Sequence, residues 1–438
     1  MKNAIAFALF FTVFSIQAQK KWTLQECVDY AAKNNLQIIQ SNQNKSIREK
    51  TLEASKKEKL PGVSANFNNN VSFGQGQDVF GNNQRNDNFN NSANVGANVL
   101  VFNNGRLEKQ VKRDLFEVEA SQFDVEKIRN DISLSIAEQY LNILLSKEVL
   151  KINQSAHENA KKQYERAKIT TEVGTTAQTV LAEAEAAVAR EYQNIKTSET
   201  NTKNALLNLA ILLQLEDFRN FDVADAPYVD QLEPNYISAN DVLTKAYTNQ
   251  PHIKAAEARI KAAEAQTTVT ETNFYPTVTA NAGIGTFYFN SLNTGKESNF
   301  FNQYKDNFGQ QVGVSANIPI FNKGITKLQV EQAKINEDIA KTNLALQKQD
   351  VLQNVQRAEY SAENNYEIYK AAVQSEKSSK LALDFAEKSY QAGRSSIYDL
   401  NVARNNYANA QGAAAQAKYN YLFQTKVLEF YAGIPLSL

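Results

Sequence analysis

The sequence is poor in the residues that build most recognisable sites. It has one cysteine, Cys27, and two histidines, His157 and His252, in 438 residues. A disulfide framework is therefore excluded, and too few soft ligands remain for a Cys/His zinc centre, so no metal and no cofactor is expected. The two histidines, in different halves of the chain, read as surface or packing residues. Charge of one sign is also lacking: 47 basic residues balance 47 acidic ones, which leaves no footprint for nucleic acid. The patterns G-x-S-x-G and H-E-x-x-H and a phosphate loop are all missing, so no enzyme is expected. Most telling is the lack of glycine and proline over two stretches of 68 residues each, Arg106 to Val173 and Ile325 to Ala392. Without those breakers, each polar stretch rich in Lys, Glu, Gln and Ala predicts one continuous helix, at about 105–172 and about 324–392.

Polarity on this scale does not make the chain disordered, because 42% of it is apolar, 10% is aromatic, and the apolar residues are patterned. Residues 1–18, with Lys2, an apolar run from Ala4 to Ile16 and Ala18 before Gln19, have the layout of a secretory signal peptide. No second apolar segment long enough to span a membrane comes after it. Cys27 lacks the context for lipidation and reads as a half-buried helical thiol.

Past the signal, Thr23 and Glu26 are spaced as a capping box, opening a helix expected to continue to about Lys59 and to stop at Pro61. The period then changes from 3.6 to 2. Over 63–73 the odd positions (Val63, Ala65, Phe67, Val71, Phe73) are largely apolar and the even ones are Ser and Asn. A loop from Gly74 to Asn91 leads to a second alternating stretch, 93–101, with Ala93, Val95, Ala97, Val99 and Val101 on one face. About 9 to 11 residues suffice for a tilted strand to cross a bilayer. The first long helix comes next, a turn falls at Gly174, and an Ala-rich helix returns from Thr176 to about Leu215. Residues 216–236, with six acids and two prolines, read as an extended linker.

The second half repeats the first. "LTKAYTNQPHI" (243–253) aligns with "VDYAAKNNLQI" (28–38), "NIPIFNKG" (317–324) with "NVLVFNNG" (98–105), and Gly393 with Gly174. Strands are expected at 278–288 and 312–320, and a last helix from Ser395 to about Tyr431. The partition is thus a first repeat at 19–215, a linker at 216–236 and a second repeat at 237–438. Each repeat runs helix, strand, strand, long helix, turn, helix. Four amphipathic strands cannot close a membrane barrel, and long amphipathic rods need neighbours, so self-association is expected. Aromatic residues Phe287, Tyr288, Phe289, Phe300, Phe301 and Tyr304 flank the second loop, as an interfacial girdle or as an extracellular plug.

This plan, with "WTLQECVDYAAKNNLQI", the exits "FNNG" and "FNKG", and the turns "YERAKITTEVGTTAQTVLAEAE" and "SYQAGRSSIYDLNVARNNY", resembles the TolC family of outer-membrane efflux proteins over the whole mature chain. The resemblance implies a mainly helical fold with membrane strands, in which three chains complete a 12-stranded barrel in the outer membrane and a helical tunnel through the periplasm. It implies a passive exit channel of a tripartite efflux or type I secretion system, with a periplasmic adaptor and an inner-membrane transporter as partners. It places gate and adaptor-docking tips at Gly174, Thr175, Tyr390, Gly393, Arg394 and Asp399. Tyr390 and Asp399 match the family's tyrosine before the second glycine and acid six positions after it. The second acid some members carry is Val402 here, and the first-repeat equivalent of Asp399 is Val180, so any acidic ring holds one Asp per chain. Arg394 is expected to pair with a neighbouring carboxylate. The rival readings are a stand-alone porin, whose chain would be mostly strand, and a periplasmic coiled-coil protein, which leaves the four strands without a purpose. Asp399 also reads as a helix N-terminal acid favoured by the dipole.

Overall fold

The computed structural model describes residues 21–77, 81–225, 232–233, 237–293 and 299–436. The expected signal peptide, most of the expected linker beyond Asp225 and the middle of the second loop lie outside the described residues. In chain order the elements are β1 (Lys21–Trp22), α1 (Leu24–Asn34), α2 (Leu36–Lys57), β2 (Gly62–Ser72), β3 (Gln75–Gln77), β4 (Asn83–Arg85), β5 (Asn88–Phe102), α3 (Arg106–Glu172) and α4 (Gln178–Leu213). They continue with β6 (Asp222–Val223), α5 (Ala239–Asn249), α6 (Pro251–Glu271), β7 (Thr277–Ser291), α7 (Phe300–Asp306), β8 (Gly309–Asn317), α8 (Ile325–Gln391) and α9 (Ile397–Tyr431). Both uninterrupted stretches are single helices of 67 residues. The chain divides into two compact units, each drawn from both halves of the sequence.

The first unit comprises residues 1–41, 125–251 and 348–438. Its core gathers Leu24, Cys27, Ala31, Ile38, Ile136, Tyr140, Ile143, Leu209 and Leu213, all at most 5% exposed. Cys27 is fully buried rather than half-buried, and burial pushes its thiol pKa up to about 12, where it stays protonated and inert. The expected single first helix is two helices. Asn35 adopts an extended conformation (ψ 125°), its side-chain oxygen accepts from the Gln37 N–H at 2.9 Å, and its amide donates to the Leu212 carbonyl at 3.2 Å. Those bonds replace the helical ones that the break removes. The second half breaks at the matching place, where Pro251 opens α6 and keeps Gln250 extended. The capping box of Thr23 and Glu26 is formed at both ends. Within the expected linker, β6 pairs in parallel with β1. There the Tyr140 hydroxyl lies 3.1 Å from the Trp22 carbonyl and 2.9 Å from that of Ala224, and the Lys147 ammonium meets Asp222 at 2.6 Å.

The second unit comprises residues 42–124 and 252–347. Its sheet is antiparallel, in the order β2-β5-β7-β8. Directly opposed residues share a face, so the register gives rows: Val63, Ala97, Ala282 and Val312, then Ala65, Val95, Ile284 and Gln310, then Phe67, Ala93 and Thr286. The reverse face carries Asn66, Asn94, Asn98, Asn281, Gln311 and Ser315 among glycines. One face is thus mostly apolar, with Gln310, Asn69 and Asn91 as its carboxamides, and the other is built from carboxamides and hydroxyls. Gly285 lies under the Asn94 carboxamide so closely that a Cβ there would fall 2.1 Å from Asn94 Oδ1.

Several strand boundaries differ from expectation, and β7 runs on to Ser291. β5 begins at Asn88 and is preceded by the β3–β4 hairpin, where Asn and Gln conceal the alternation. A bulge at its other end puts Phe102, not Val101, opposite Val278. β8 covers 309–317, not 312–320, since Pro319 has no N–H for a ladder. The second loop also holds α7, which the sequence did not reveal. Its Gln303 side chain bonds both the N–H and the carbonyl of Phe289 (3.0 and 2.9 Å), taking the place of a strand where β8 has not yet begun. Phe300 stacks on Tyr304 at 4.4 Å and lies 5.0 Å from Tyr288.

Candidate functional site at the two helix turns

The six residues expected at the tips fall at the α3–α4 and α8–α9 turns, both within the first unit. Each turn is closed by a left-handed glycine, Gly174 at φ +75° and Gly393 at φ +68°, a conformation that costs other residues a Cβ–carbonyl clash. The bonding is the same in both. The Gly174 N–H reaches the Thr171 carbonyl (3.0 Å) and the Thr175 N–H that of Thr170 (2.9 Å), while Gly393 reaches Tyr390 (3.0 Å) and Arg394 reaches Ser389 (2.9 Å). Both are Schellman closures, which satisfy the last carbonyls of long helices.

The two turns differ in the residues just past the glycine. After Gly174, the Thr176 hydroxyl lies 2.9 Å from those of both Thr170 and Thr171, and the Thr175 hydroxyl donates to the Thr170 carbonyl at 2.8 Å. The α4 N-cap, Ala177, has no side-chain cap. After Gly393, Ser396 and Asp399 form a complete capping box: the Asp399 N–H reaches Ser396 Oγ (3.2 Å), and Asp399 Oδ2 accepts from the Ser396 N–H (3.1 Å) and hydroxyl (2.7 Å). The Ser396 hydroxyl and amide hold the exposed Asp399 carboxyl below its ordinary pKa. Asp399 is therefore anionic at neutral pH and committed to its own helix start. Arg394 is exposed and makes no ion pair with a carboxylate among the described residues of its own chain.

The ion pair at this end is one the sequence did not indicate. Arg404 on α9 meets Glu387 on α8 at 2.9 Å, with side chains 17% and 39% exposed. These two, with Tyr390, Leu400 and Asn159, line a cavity of about 150 Å³ that separates the α8–α9 hairpin from α3. A neighbouring cavity of about 240 Å³ shares Arg404 and Asn159 and is lined by Ile152, Ala187, Arg190 and Tyr407. Two cavities of mixed polar and apolar lining thus lie between the helical hairpins. His157 is buried against the Tyr192 ring at 5.8 Å. Among the described residues, no group of His, Cys, Asp and Glu could hold a metal ion, and no helix is long and apolar enough to cross a membrane.

Against this geometry the similarities fall in one place. TolC of Escherichia coli strain K12 is 29% identical over 300 residues, a match covering 66% of this chain and 58% of that protein. The outer membrane efflux protein BepC of Brucella suis is 22% identical over 439 residues, covering 97% and 88%. The solved structure of CusC, described by its forming a transmembrane channel, superposes with a TM-score of 0.75 at 17% identity over 97% of this chain and 96% of CusC, and so shares the fold. The sequence profile of the family described as Outer membrane efflux protein matches residues 27–213 and again 242–433. The chain, with its duplicated plan of paired strands and long helical hairpins, belongs to the outer membrane efflux protein family.

Proposed function

We propose that this protein is the outer-membrane exit channel of a tripartite efflux or type I secretion system. It conducts passively what an inner-membrane transporter and a periplasmic adaptor deliver, and performs no chemistry of its own. The observation that carries this reading is the sheet, apolar on one face and carboxamide-lined on the other, with an open strand at each edge among the described residues. Lipid does not tolerate an open edge, so copies share one barrel, and three copies give twelve strands. The duplication supports reading 19–215 and 237–438 as two repeats joined by 216–236, after a signal peptide at 1–18.

The gate, in this reading, is the pair of glycine-closed turns with Gly174, Thr175, Tyr390, Gly393, Arg394 and Asp399. The Arg404–Glu387 pair holds the α8–α9 hairpin together as it moves. A single Asp399 per chain, engaged in its own cap, suits weak selection among ions, since charge rings set selectivity. Arg394, without an ion pair among the described residues, is left to pair with an adjacent copy.

Reconstitution of the purified protein in a planar bilayer tests the proposal. Small, mostly closed currents are expected, rising in Arg394→Ala, because Arg394 is the exposed tip charge left to pair with an adjacent copy. Large steady currents in the unmodified protein would show an ungated porin instead, and failure to insert would return the chain to the periplasmic coiled-coil reading.

A further inference from the structure

All six glycines of the four-stranded sheet lie on its carboxamide-lined face: Gly62 on β2, Gly96 on β5, Gly283 and Gly285 on β7, and Gly309 and Gly313 on β8. A glycine inside a strand weakens it and often marks a close approach by another group. Here that group is a carboxamide from the strand alongside. Asn94 is directly opposite Gly285, Gln311 opposite Gly283 and Asn281 opposite Gly313. A Cβ on these glycines would fall 2.1 Å from Asn94 Oδ1, 3.4 Å from Gln311 Nε2 and 3.2 Å from Asn281 Oδ1. Each carboxamide is thus laid across its neighbour's backbone instead of standing away from the sheet.

Resting on the exit-channel reading above, in which this face lines the lumen, we infer that these glycines set the size of solute the barrel admits, with Gly285 beneath Asn94 the decisive position. The three pairs follow one another along β7, with Asn94–Gly285 nearest the loops and Asn281–Gly313 nearest the helices. A groove of about 560 Å³ lies there, lined by Asn66, Ser92, Asn94, Gly283, Gly285 and Gln311 among others, and no charged side chain contributes to it. Without an electrostatic barrier on this wall, diameter and hydrogen bonding are what remain to sort solutes.

The distances rank the positions. A side-chain oxygen 2.1 Å from a new methyl group must move, and an asparagine driven off its neighbour's backbone turns to another staggered rotamer, away from the wall. In a channel of several copies that carboxamide enters the lumen once per copy. At 3.2 Å the Asn281 carboxamide need give only a few tenths of an ångström, so alanine at Gly313 is the milder version. A fourth opposed pair, Asn98 with Gly62, leaves 3.5 Å, an ordinary contact that a methyl group fits, and serves as the control.

Maleimide labelling from outside intact cells tests this on the full-length protein in its own outer membrane. Thr279 lies two residues beyond Asn281 on the same strand and face, away from the loops, so a reagent entering between the loops passes all three pairs to reach a Thr279→Cys thiol. Cys27 is fully buried and stays in place as a silent thiol. A small membrane-impermeant maleimide is expected to label Thr279→Cys equally with and without Gly285→Ala. Maleimides carried on polyethylene glycol of increasing length are expected to reach a lower size limit in Gly285→Ala, with several-fold slower labelling near that limit. Gly313→Ala should lower the limit less, and Gly62→Ala should leave it unchanged. Adding Asn94→Ala to Gly285→Ala removes the displaced carboxamide and should restore the original limit. Should Gly285→Ala fail to assemble, Gly313→Ala carries the same comparison. A limit unmoved by the Gly285 and Gly313 variants overturns the inference and leaves the channel reading intact. A lowered limit that Asn94→Ala does not relieve also overturns it, since the cause would then be distortion of the strand. A small reagent unable to reach Thr279→Cys in folded, heat-modifiable protein overturns the channel reading as well.

Discussion

At the scale of single residues, the two turns show how one backbone requirement is met with different side chains. Gly174 and Gly393 share a left-handed conformation, so alanine at either should cost about 1 to 2 kcal/mol. Thermal unfolding followed by circular dichroism should register that loss in both variants, and a loss in only one would show that the turns are not equivalent. Asp399 adds a pH dependence. Its carboxyl is held below the ordinary value by bonds from Ser396, so the charged form favours the folded turn. That stabilisation is fully present above the unfolded carboxylate pKa and is lost as pH falls through the lower folded one. Channel opening should accordingly increase only under strongly acid conditions in the unmodified protein, and already at neutral pH in Asp399→Asn. A pH profile shared by both proteins would assign the acid response elsewhere.

These residues also mark how far the sequence could be read. The glycines were legible because they recur after runs of equal length. Arg404 and Glu387 were not, since they lie 17 positions apart and meet only through the way α9 folds back on α8. The role of Asp399 as a cap was legible beside its role as an aperture acid, and the cap is what the geometry shows within one chain.

At the scale of elements, the strands were legible where alternation is apolar against polar, and misplaced by a few residues where it is not. Asn88, Asn90 and Asn91 hide the start of β5, and Ile318 and Ile320 continue the alternation across a proline that stops the ladder. α7 and the break at Asn35 depend on Phe289 and Leu212, each distant in sequence, so no local pattern announces them. The two faces of the sheet make a paired prediction. Val95→Arg places a charge on the apolar face and should cost about 2 to 4 kcal/mol near the bilayer middle, abolishing assembly in the outer membrane. Asn94→Arg, one residue away on the other face, should assemble and reduce conductance to cations. Equal assembly of both, measured by heat-modifiable migration, would argue against the assignment of faces.

At the scale of the whole molecule, the chain displays more apolar surface than a self-sufficient monomer keeps. Ile325, Leu328, Ile335, Ile339 and Leu346 are 51–64% exposed and recur at heptad spacing along the first part of α8. Such a stripe is a coiled-coil seam without its partner. Covering one isoleucine contributes about 1.5 to 3 kcal/mol, so Ile339→Glu should lower the temperature at which the trimer separates while leaving the helical circular dichroism signal intact. No change in that temperature would place the stripe outside the interface between copies.

The short parallel pairing of Lys21–Trp22 with Asp222–Val223, fastened by the Tyr140 hydroxyl, joins two points separated by some two hundred residues. In a chain that emerges amino end first into a new compartment, the earliest residues to arrive must wait for the junction between the halves before they can be fixed. The fastening can therefore form only once the whole first half has crossed. A folded tag fused directly ahead of Lys21 would crowd this joint, whereas the same tag carried on a long flexible spacer would leave maturation undisturbed.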